Sequence, residues 1–390
     1  MAVPLLYTLR SVRVRWASNL VAVLGIAGVV AVFVAMMAMA HGFQKTLVQS
    51  GSPRNALVQR GGSTTEMVSV MTLDQVRVIE DAPGIAHGGD GRPLVSPEIV
   101  VVTAFHHKAS DADALAQVRG VTDRALLVHE GLRLAGGRFL TPGTAELVVG
   151  RNAADMYTGF SLGARPAFGG RTWEVVGLLD AGGSAYDSEV WADAGVLGQA
   201  YKRPYGLFSS VTARTEGPAG LALLRRALQG DPRLTVQVDT EVEYYAKQSR
   251  LLSTLIRVLG YLVAAVIGVG AVFGAFNTMY AAVSARAREI ATLRALGFSA
   301  GSVVAAFLAE ALLLSLAGGL LGCTAAWPLN GLTTSTLNWQ SFSQMAFAFQ
   351  VTPDALAAGV LFALAMGFAG GLLPALRAAR LPVAQALREL

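Results

Sequence analysis

Four stretches of this chain are apolar over the length a bilayer-crossing helix needs, about 20 residues, and their spacing is uneven. Ala17 to Ala40 carries no charge, nor does Val258 to Ala285. A third run begins near Ser302 and ends near Trp327-Pro328, interrupted only by Glu310, and a fourth covers about Ala355 to Leu376. Residues 1–16 set Arg10, Arg13 and Arg15 among Leu5, Leu6, Leu9, Val12 and Trp16, the pattern of an amphipathic helix lying at a membrane surface.

Residues 41–250 follow another pattern. Asn55-Ala-Leu-Val-Gln, Ile99-Val-Val-Val-Thr, Glu146-Leu-Val-Val-Gly, Trp173-Glu-Val-Val-Gly and Leu234-Thr-Val-Gln-Val predict short strands. Thr72 and Gln75 form a capping box for a helix carrying Val76 and Ile79 and stopped at Pro83-Gly84. A second helix is expected from about Pro218 to Gln229. Each helix ends in a proline turn leading toward a strand, a sign of two related strand–helix–strand halves. From Glu241 to Arg257 charged residues interleave with Val242, Tyr245, Leu252 and Ile256, which predicts an amphipathic stalk running unbroken into the second apolar run. The polar stretch 328–353, with Asn330, Thr333, Thr334, Asn338 and Gln340, reads as a loop, either a lid or a plain connection.

Composition fits this division. Hydrophobic residues make up 53% of the 390 and charged residues 15%, too apolar for an ordinary soluble protein and too polar for a bundle wholly within lipid. Residues 41–250 hold 21 Lys and Arg against 22 Asp and Glu. The net charge of +5 therefore belongs to the flanks of the apolar runs, and a nucleic-acid partner is not suggested. Nine arginines (Arg10, Arg13, Arg15, Arg286, Arg288, Arg294, Arg377, Arg380 and Arg388) fall at alternate ends of the four runs. The positive-inside rule makes that side cytoplasmic, with both termini inside and the large domain outside. Ala38-Met39-Ala40 matches a signal cleavage pattern, but the apolar core before it exceeds the usual ~7–15 residues. The lone cysteine, Cys323, excludes a disulfide within the chain.

Between the second and third runs lies Ser284 to Ser299, carrying Arg286, Arg288, Glu289 and Arg294. At helical spacing Ile290, Leu293 and Gly297 share a side, with Leu296 at its edge. Gly297 is a natural stop, and Ser299 can cap the helix that follows. Two readings stand side by side: a short amphipathic helix that passes a partner's push to both flanking spans, or a basic loop that only anchors topology.

Arg288-Glu289-Ile290, Leu293-Arg294-Ala295-Leu296-Gly297 and Glu310 together resemble the signature of the FtsX-like permease domain. Leu373-Pro374-Ala375-Leu376-Arg377-Ala378-Ala379-Arg380 through Ala386-Leu387-Arg388 is similar to that domain's closing motif. Gly136-Gly-Arg-Phe, Glu146-Leu-Val-Val-Gly, Trp173-Glu-Val-Val-Gly and Glu189-Val-Trp-Ala-Asp are similar to the periplasmic core of MacB-type permeases. Many members carry Glu where this chain has Ala285. The resemblance implies that the basic helix docks on an ATP-binding subunit through Arg286, Arg288, Glu289, Ile290, Leu293, Arg294, Leu296 and Gly297. It implies ATP and Mg held by that partner and no cofactor on this chain. A periplasmic adaptor and an outer-membrane channel are the further partners it suggests, besides membrane lipid.

Small residues four apart mark three runs: Gly270 with Gly274, Gly318 with Gly322, and Gly367 with Gly371. Such pairs let helix backbones approach, although glycine is also simply common in membrane helices. Glu310 lies roughly 12 Å along its helix from the boundary by helical rise, and its carboxylate should face the bundle or a wet seam. It reads as a packing or gating element rather than a proton site, since no second acidic residue lies in any span. Asn277 reads as interhelical hydrogen-bonding glue. His87, His106, His107 and His129 do not make a metal site, because adjacent histidines on a strand point to opposite faces. Ser184, Ser188 and Asp187 belong to no recognisable nucleophile motif. No lysine follows a glycine, so the chain has no phosphate-binding loop; MacB-type exporters carry their ATPase fused ahead of the first span.

The expected fold is an α-helical membrane protein with four transmembrane helices plus an α+β extracytoplasmic domain inserted between helices 1 and 2. Its expected segments are an interfacial helix at 1–16, spans at 17–40, 251–283 (with the stalk end), 301–327 and 354–377, a periplasmic domain at 41–250, a coupling helix at 284–300, a periplasmic loop at 328–353 and a tail at 378–390. The expected function is that of a non-catalytic permease subunit in a bacterial inner membrane, working with a separate ATPase and a second copy of itself to drive export. The alternatives are a lipoprotein-releasing permease and a non-transporting regulator of a cell-wall hydrolase.

Overall fold

The structure is a computed structural model that describes residues 16–380. Arg10, Arg13, Arg15 and Arg388, with the surface helix and closing segment they belong to, lie outside the described residues. The chain divides into two units. One takes the chain up to His41, Thr254–Leu332 and the chain from Phe349; the other takes Gly42–Ser253 and Thr333–Ala348.

The first unit is built on four helices long and apolar enough to cross a membrane. They are Trp16–Ser50, Glu241–Ala285, Ala300–Ala326 and Pro353–Ala379. Their ends are set by local chemistry. The Ser299 hydroxyl accepts the Ser302 N–H at 3.2 Å, and Thr352 accepts that of Ala355 at 3.2 Å with Pro353 at the first helical position. The second helix runs 45 residues without interruption, as the interleaved charges at its start and the apolar run after them lead one to expect.

Glycines bring these helices close. A side-chain carbon added at Gly318 would meet Ile26 Cβ at 2.9 Å, and one at Gly322 would meet the Ala27 carbonyl oxygen at 2.6 Å. At Gly367 it would strike Ser315 Oγ at 2.2 Å, and at Gly371 Ala311 Cβ at 2.5 Å. At these four glycines a neighbouring helix comes too close for a side chain, and the missing side chains are what permit it. Gly270 and Gly274 differ, with nothing within 4 Å of an added carbon.

The second unit is α/β. Its nine-stranded sheet has the order Val236–Thr240, Asn55–Arg60, Ser210–Arg214, Val95–His107, Ala112–Val121, Val190–Asp193, Glu146–Gly150, Glu174–Asp180, Arg133–Gly137. The first four are antiparallel to their neighbours. Helices Leu73–Glu80 and Pro218–Gly230 contribute Val76, Ile79, Leu224 and Leu228 to one core beside these strands. Each helix joins two of the four strands, so the two strand–helix–strand halves interleave in one sheet. The Thr72–Gln75 capping box is formed. A second core, with Trp173, Tyr157, Phe105 and Phe160, fills the other end of the sheet.

The stretch expected as a loop at 328–353 contains a β-hairpin, Thr333–Asn338 paired with Ser343–Ala348, and the hairpin belongs to the α/β unit. Ser343, Met345 and Phe347 alternate into the interior. The Ala346 N–H donates to Ser188 Oγ at 3.0 Å, and Phe347 meets the Phe43 ring edge-on at 5.8 Å.

Candidate functional site

Two arrangements stand out, one in each unit. In the helical unit the short helix Ala287–Ala295 joins the second long helix to the third. Gly297, at φ +92°, ends it in the left-handed conformation that glycine adopts without strain. The Gly297 N–H donates to the Arg294 carbonyl at 3.1 Å and the Phe298 N–H to that of Leu293 at 3.1 Å. This pair of bonds closes the C-terminus and fixes the exit angle of the chain.

The eight residues expected on the docking face divide into three groups. Ile290 is buried with Met279, Val283, Val303, Phe307, Ala375 and Ala378, where it holds the short helix against its neighbours. Arg286 is buried as well. Its guanidinium contacts the Glu310 carboxylate at 3.0 Å, the two side chains 7% and 6% exposed, and lies 5.8 Å from the centre of the Phe307 ring. Arg286 is therefore an internal strut rather than a contact surface, and Glu310 has a basic partner. Leu293 and Arg294 are half-buried, and Arg294 donates to the Ala379 carbonyl at 3.2 Å. Arg288, Glu289, Leu296 and Gly297 are exposed, Leu296 by 69%. Asn277 lies on an exposed face of the second helix, the same helix that carries Gly270 and Gly274. The Arg377 guanidinium stacks 4.1 Å from the centre of the Tyr280 ring, holding the end of the fourth helix to the second.

In the α/β unit a buried ionic cluster centres on Arg119. It donates to Glu66 at 2.9 and 3.2 Å, to Glu98 at 2.7 Å and to Glu189 at 2.8 and 3.0 Å. His129 Nε2 meets Glu98 at 2.7 Å, and its Nδ1 faces Glu241 at 3.2 Å, an ion-pair distance off the hydrogen-bonding direction. An imidazole with a carboxylate on both nitrogens is held as imidazolium. Burial alone would push its pKa down, but Glu98 and Glu241 raise it to about 10. Burial would likewise push Glu98 up, yet His129 and Arg119 hold it down at about 2.

Four carboxylates thus face one guanidinium and one imidazolium, and neutral donors stabilise the negative charge that remains. Ser210 gives a hydrogen bond to Glu66, Gln117 and Trp191 give theirs to Glu189, and Ser52, Asn55 and Tyr186 give theirs to Glu241. Every carboxylate oxygen has a partner, the condition under which buried ions are tolerated. The sequence gives no sign that these residues meet: Glu189 and Trp191 lie in a motif of the periplasmic core, Glu241 opens the stalk, and His129 reads there only as a possible metal ligand. Among the described residues no group of His, Cys, Asp and Glu is arranged to hold a metal ion. His106 instead pairs with Asp111 on the surface, and Asp187 accepts the Ala181 and Gly183 N–H groups.

A recess of about 370 Å³ between Leu73, Tyr205 and Phe208 on one side and Ile99 and Ala194 on the other is large enough for a small ligand. Two of its charged groups are already engaged, Asp193 by the Val196 and Gly143 N–H groups and Arg203 by Ser209 and the Val100 carbonyl.

Two family models match the chain. One, described as the MacB-like periplasmic core domain, covers residues 20–231; the other, the FtsX-like permease C-terminal domain, covers 261–383. The chain is similar to the uncharacterized ABC transporter permease YknZ of Bacillus subtilis, 26% identical over 73% of this chain and 72% of that one. It is also similar to the macrolide export ATP-binding/permease protein MacB of Vibrio parahaemolyticus, 25% identical over 94% of this chain, and to the pyoverdine export ATP-binding/permease protein PvdT of Pseudomonas entomophila, 25% identical over 96%. It spans 56% and 58% of the length of those two. Among solved structures, the periplasmic region of MacB from Actinobacillus actinomycetemcomitans aligns with 50% of this chain and 92% of its own, at 13% identity and a TM-score of 0.37.

Proposed function

This chain belongs to the MacB/FtsX-type ABC transporter permeases, and on that premise we propose that it couples ATP hydrolysis in a separate ATP-binding subunit to a movement of its α/β domain that drives export. The observation that carries this reading is the short helix Ala287–Ala295. It is closed at Gly297, seated through Ile290 and Arg286, and exposed at Arg288, Glu289 and Leu296. A rigid element that joins two long helices and presents a mixed basic and apolar face is suited to receive a push. The unbroken second helix would carry that push toward the α/β domain. ATP and Mg would be held by the partner, and this chain would catalyse nothing itself.

The arginine pattern supports a cytoplasmic side containing Arg288, Arg294, Arg377 and both termini, and an inner-membrane location with the α/β domain in the periplasm. Four spans enclose little space for a pathway, so we place a second copy beside the first, with Gly270, Gly274 and Asn277 on the facing helices. An adaptor and an outer-membrane channel would then meet the outer domain. The names of the macrolide and pyoverdine export relatives support export over lipoprotein release or hydrolase control.

The test is reconstitution with the ATP-binding subunit. Arg288→Glu combined with Leu296→Glu is expected to abolish co-purification and permease-dependent ATPase stimulation while leaving the fold intact. Unchanged assembly and stimulation would reduce the short helix to a topology anchor.

A further inference from the structure

Within the stretch Gly42–Ser253 of the α/β unit the chain passes from the Trp16–Ser50 helix to the sheet and from the sheet to the Glu241–Ala285 helix, and these two helix–sheet crossings meet. Gly51 directly follows the Trp16–Ser50 helix. A carbon added to it would come within 2.5 Å of the Val242 nitrogen and 2.6 Å of the Glu241 carbonyl carbon. Both atoms are backbone in the first turn of Glu241–Ala285, so neither can swing aside.

Glu241, the first residue of that helix, is 2% exposed. Its Oε2 accepts the Ser52 N–H at 2.9 Å and Asn55 Nδ2 at 3.1 Å. Its Oε1 faces His129 Nδ1 at 3.2 Å and accepts the Tyr186 hydroxyl at 3.4 Å. One carboxylate therefore holds the departing chain, the arriving chain and, through His129 and Glu98, the Arg119 cluster in the middle of the sheet. The contacts continue on both helices. Ser50 Oγ accepts the Ala185 N–H at 2.7 Å, Tyr245 donates to Tyr186 at 3.0 Å, and the Tyr244 hydroxyl accepts the Glu66 N–H at 3.2 Å.

We infer that Glu241 is a positioning residue which, with Gly51 and His129, fuses the two crossings into a single rigid joint, so that the first and second long helices act on the α/β domain as one lever. The joint follows from the contacts just given; its use as a lever rests on the coupling function proposed above. A hinge here would need a loop or residues free to change their backbone angles. The short link 51–54 at the first crossing is pinned by the Ser52 N–H on Glu241 and by the close approach of Gly51, the second crossing has no link between Thr240 and Glu241, and the ionic cluster beneath them is satisfied at every carboxylate oxygen. Motion delivered by either helix would be passed on rather than absorbed.

The experiment uses the full chain in lipid nanodiscs in two stages. Hydrogen exchange of the chain alone compares wild type with Gly51→Ala, which wedges the crossings apart without altering charge, and Glu241→Ala, which removes the shared acceptor. Amides of 51–56 and 241–248 are expected to exchange about tenfold faster in both variants, with the Pro218–Gly230 helix unchanged. The double variant His129→Gln/Glu241→Gln, a neutral pair able to hydrogen-bond, is expected to recover most of the protection. Uniform loosening of the whole domain, or no loosening at the crossings, would overturn the joint.

The second stage adds the ATP-binding subunit and follows a fluorophore on Tyr205→Cys, a position 93% exposed, in a Cys323→Ser background. A lever predicts that ATPase stimulation survives in both variants while the ATP-dependent fluorescence change falls about fivefold. A fluorescence change that follows ATPase stimulation in every variant would remove the lever and leave the joint. Absence of stimulation and fluorescence change in wild type would instead refute the coupling function, with the exchange result still deciding the joint.

Discussion

Arg286 and Glu310 lie 24 residues apart in sequence, yet their charged groups meet at 3.0 Å with both side chains buried. The pair ties the turn at the foot of the second helix to the flank of the third. Removing Glu310 takes from the buried Arg286 guanidinium its carboxylate, at a cost of about 3–5 kcal/mol. Arg286→Met and Glu310→Gln should each lower the midpoint of thermal unfolding in detergent, and the double change to Met and Leu should recover most of the loss. Additive losses in the double variant would mean the two groups act independently.

The buried imidazolium and its carboxylate set the pH window of the α/β domain. His129 binds its proton more tightly in the folded than in the unfolded chain, with a pKa of about 10. Its contribution is therefore complete below the ordinary histidine value and is lost as pH rises through about 10. Glu98, held at about 2, contributes fully above the ordinary glutamate range and loses its contribution as pH falls through about 2. Stability from this pair should be flat between roughly pH 5 and 6 and fall on both sides, as urea unfolding followed by tryptophan fluorescence would show. His129→Gln should remove the alkaline fall while the acid one remains.

The glycine pairs are expected to separate by function. Gly318→Leu or Gly322→Leu would drive carbon into the backbone of the first helix and should abolish folding, seen as loss of a monodisperse peak in detergent. At Gly270 and Gly274 an added Cβ meets nothing within 4 Å among the described residues, which leaves room for Gly270→Leu with Gly274→Leu. That variant should remain folded but lose cross-linking between copies if the second copy sits on this face.

The hairpin offers a fourth test. Phe347 is 2% exposed, and Phe347→Ala should cost about 3–5 kcal/mol if its cavity cannot collapse. Limited proteolysis near Trp339 and Phe342, whose side chains are 61% and 56% exposed, should accelerate accordingly. Unchanged cleavage would mean the hairpin is held by something other than Phe347.

Local chemistry was legible in the sequence, and long-range pairing was not. The Gly297 stop, the Ser299 cap and the Thr72–Gln75 box each depend on residues within a few positions of one another, where spacing fixes geometry. The unbroken Glu241–Ala285 helix was equally plain, since no glycine or proline breaks its charged start. The resemblance puts Arg286 among the docking residues, and the partner that buries it, Glu310, lies on the next long helix. The Arg119 cluster draws on residues from Glu66 to Glu241, and no spacing rule relates them. Gly270 and Gly318 look alike in sequence; only the neighbouring helix distinguishes them. The hairpin was missed because Thr, Ser, Asn and Gln conceal its alternation, although Ser343, Met345 and Phe347 do carry a period of two.

That hairpin also imposes an order on biosynthesis. The sheet of the α/β unit is complete in sequence by Thr240, but the unit's last segment, Thr333–Ala348, is translated only after the second and third long helices. At about 5–20 residues per second, the delay is on the order of ten seconds. Through it the surface that will receive Met345 and Phe347 stands uncovered on a domain otherwise ready to fold. The nascent chain is most exposed to misassociation in that interval, and a fragment ending at Ser253 would carry the same uncovered surface permanently.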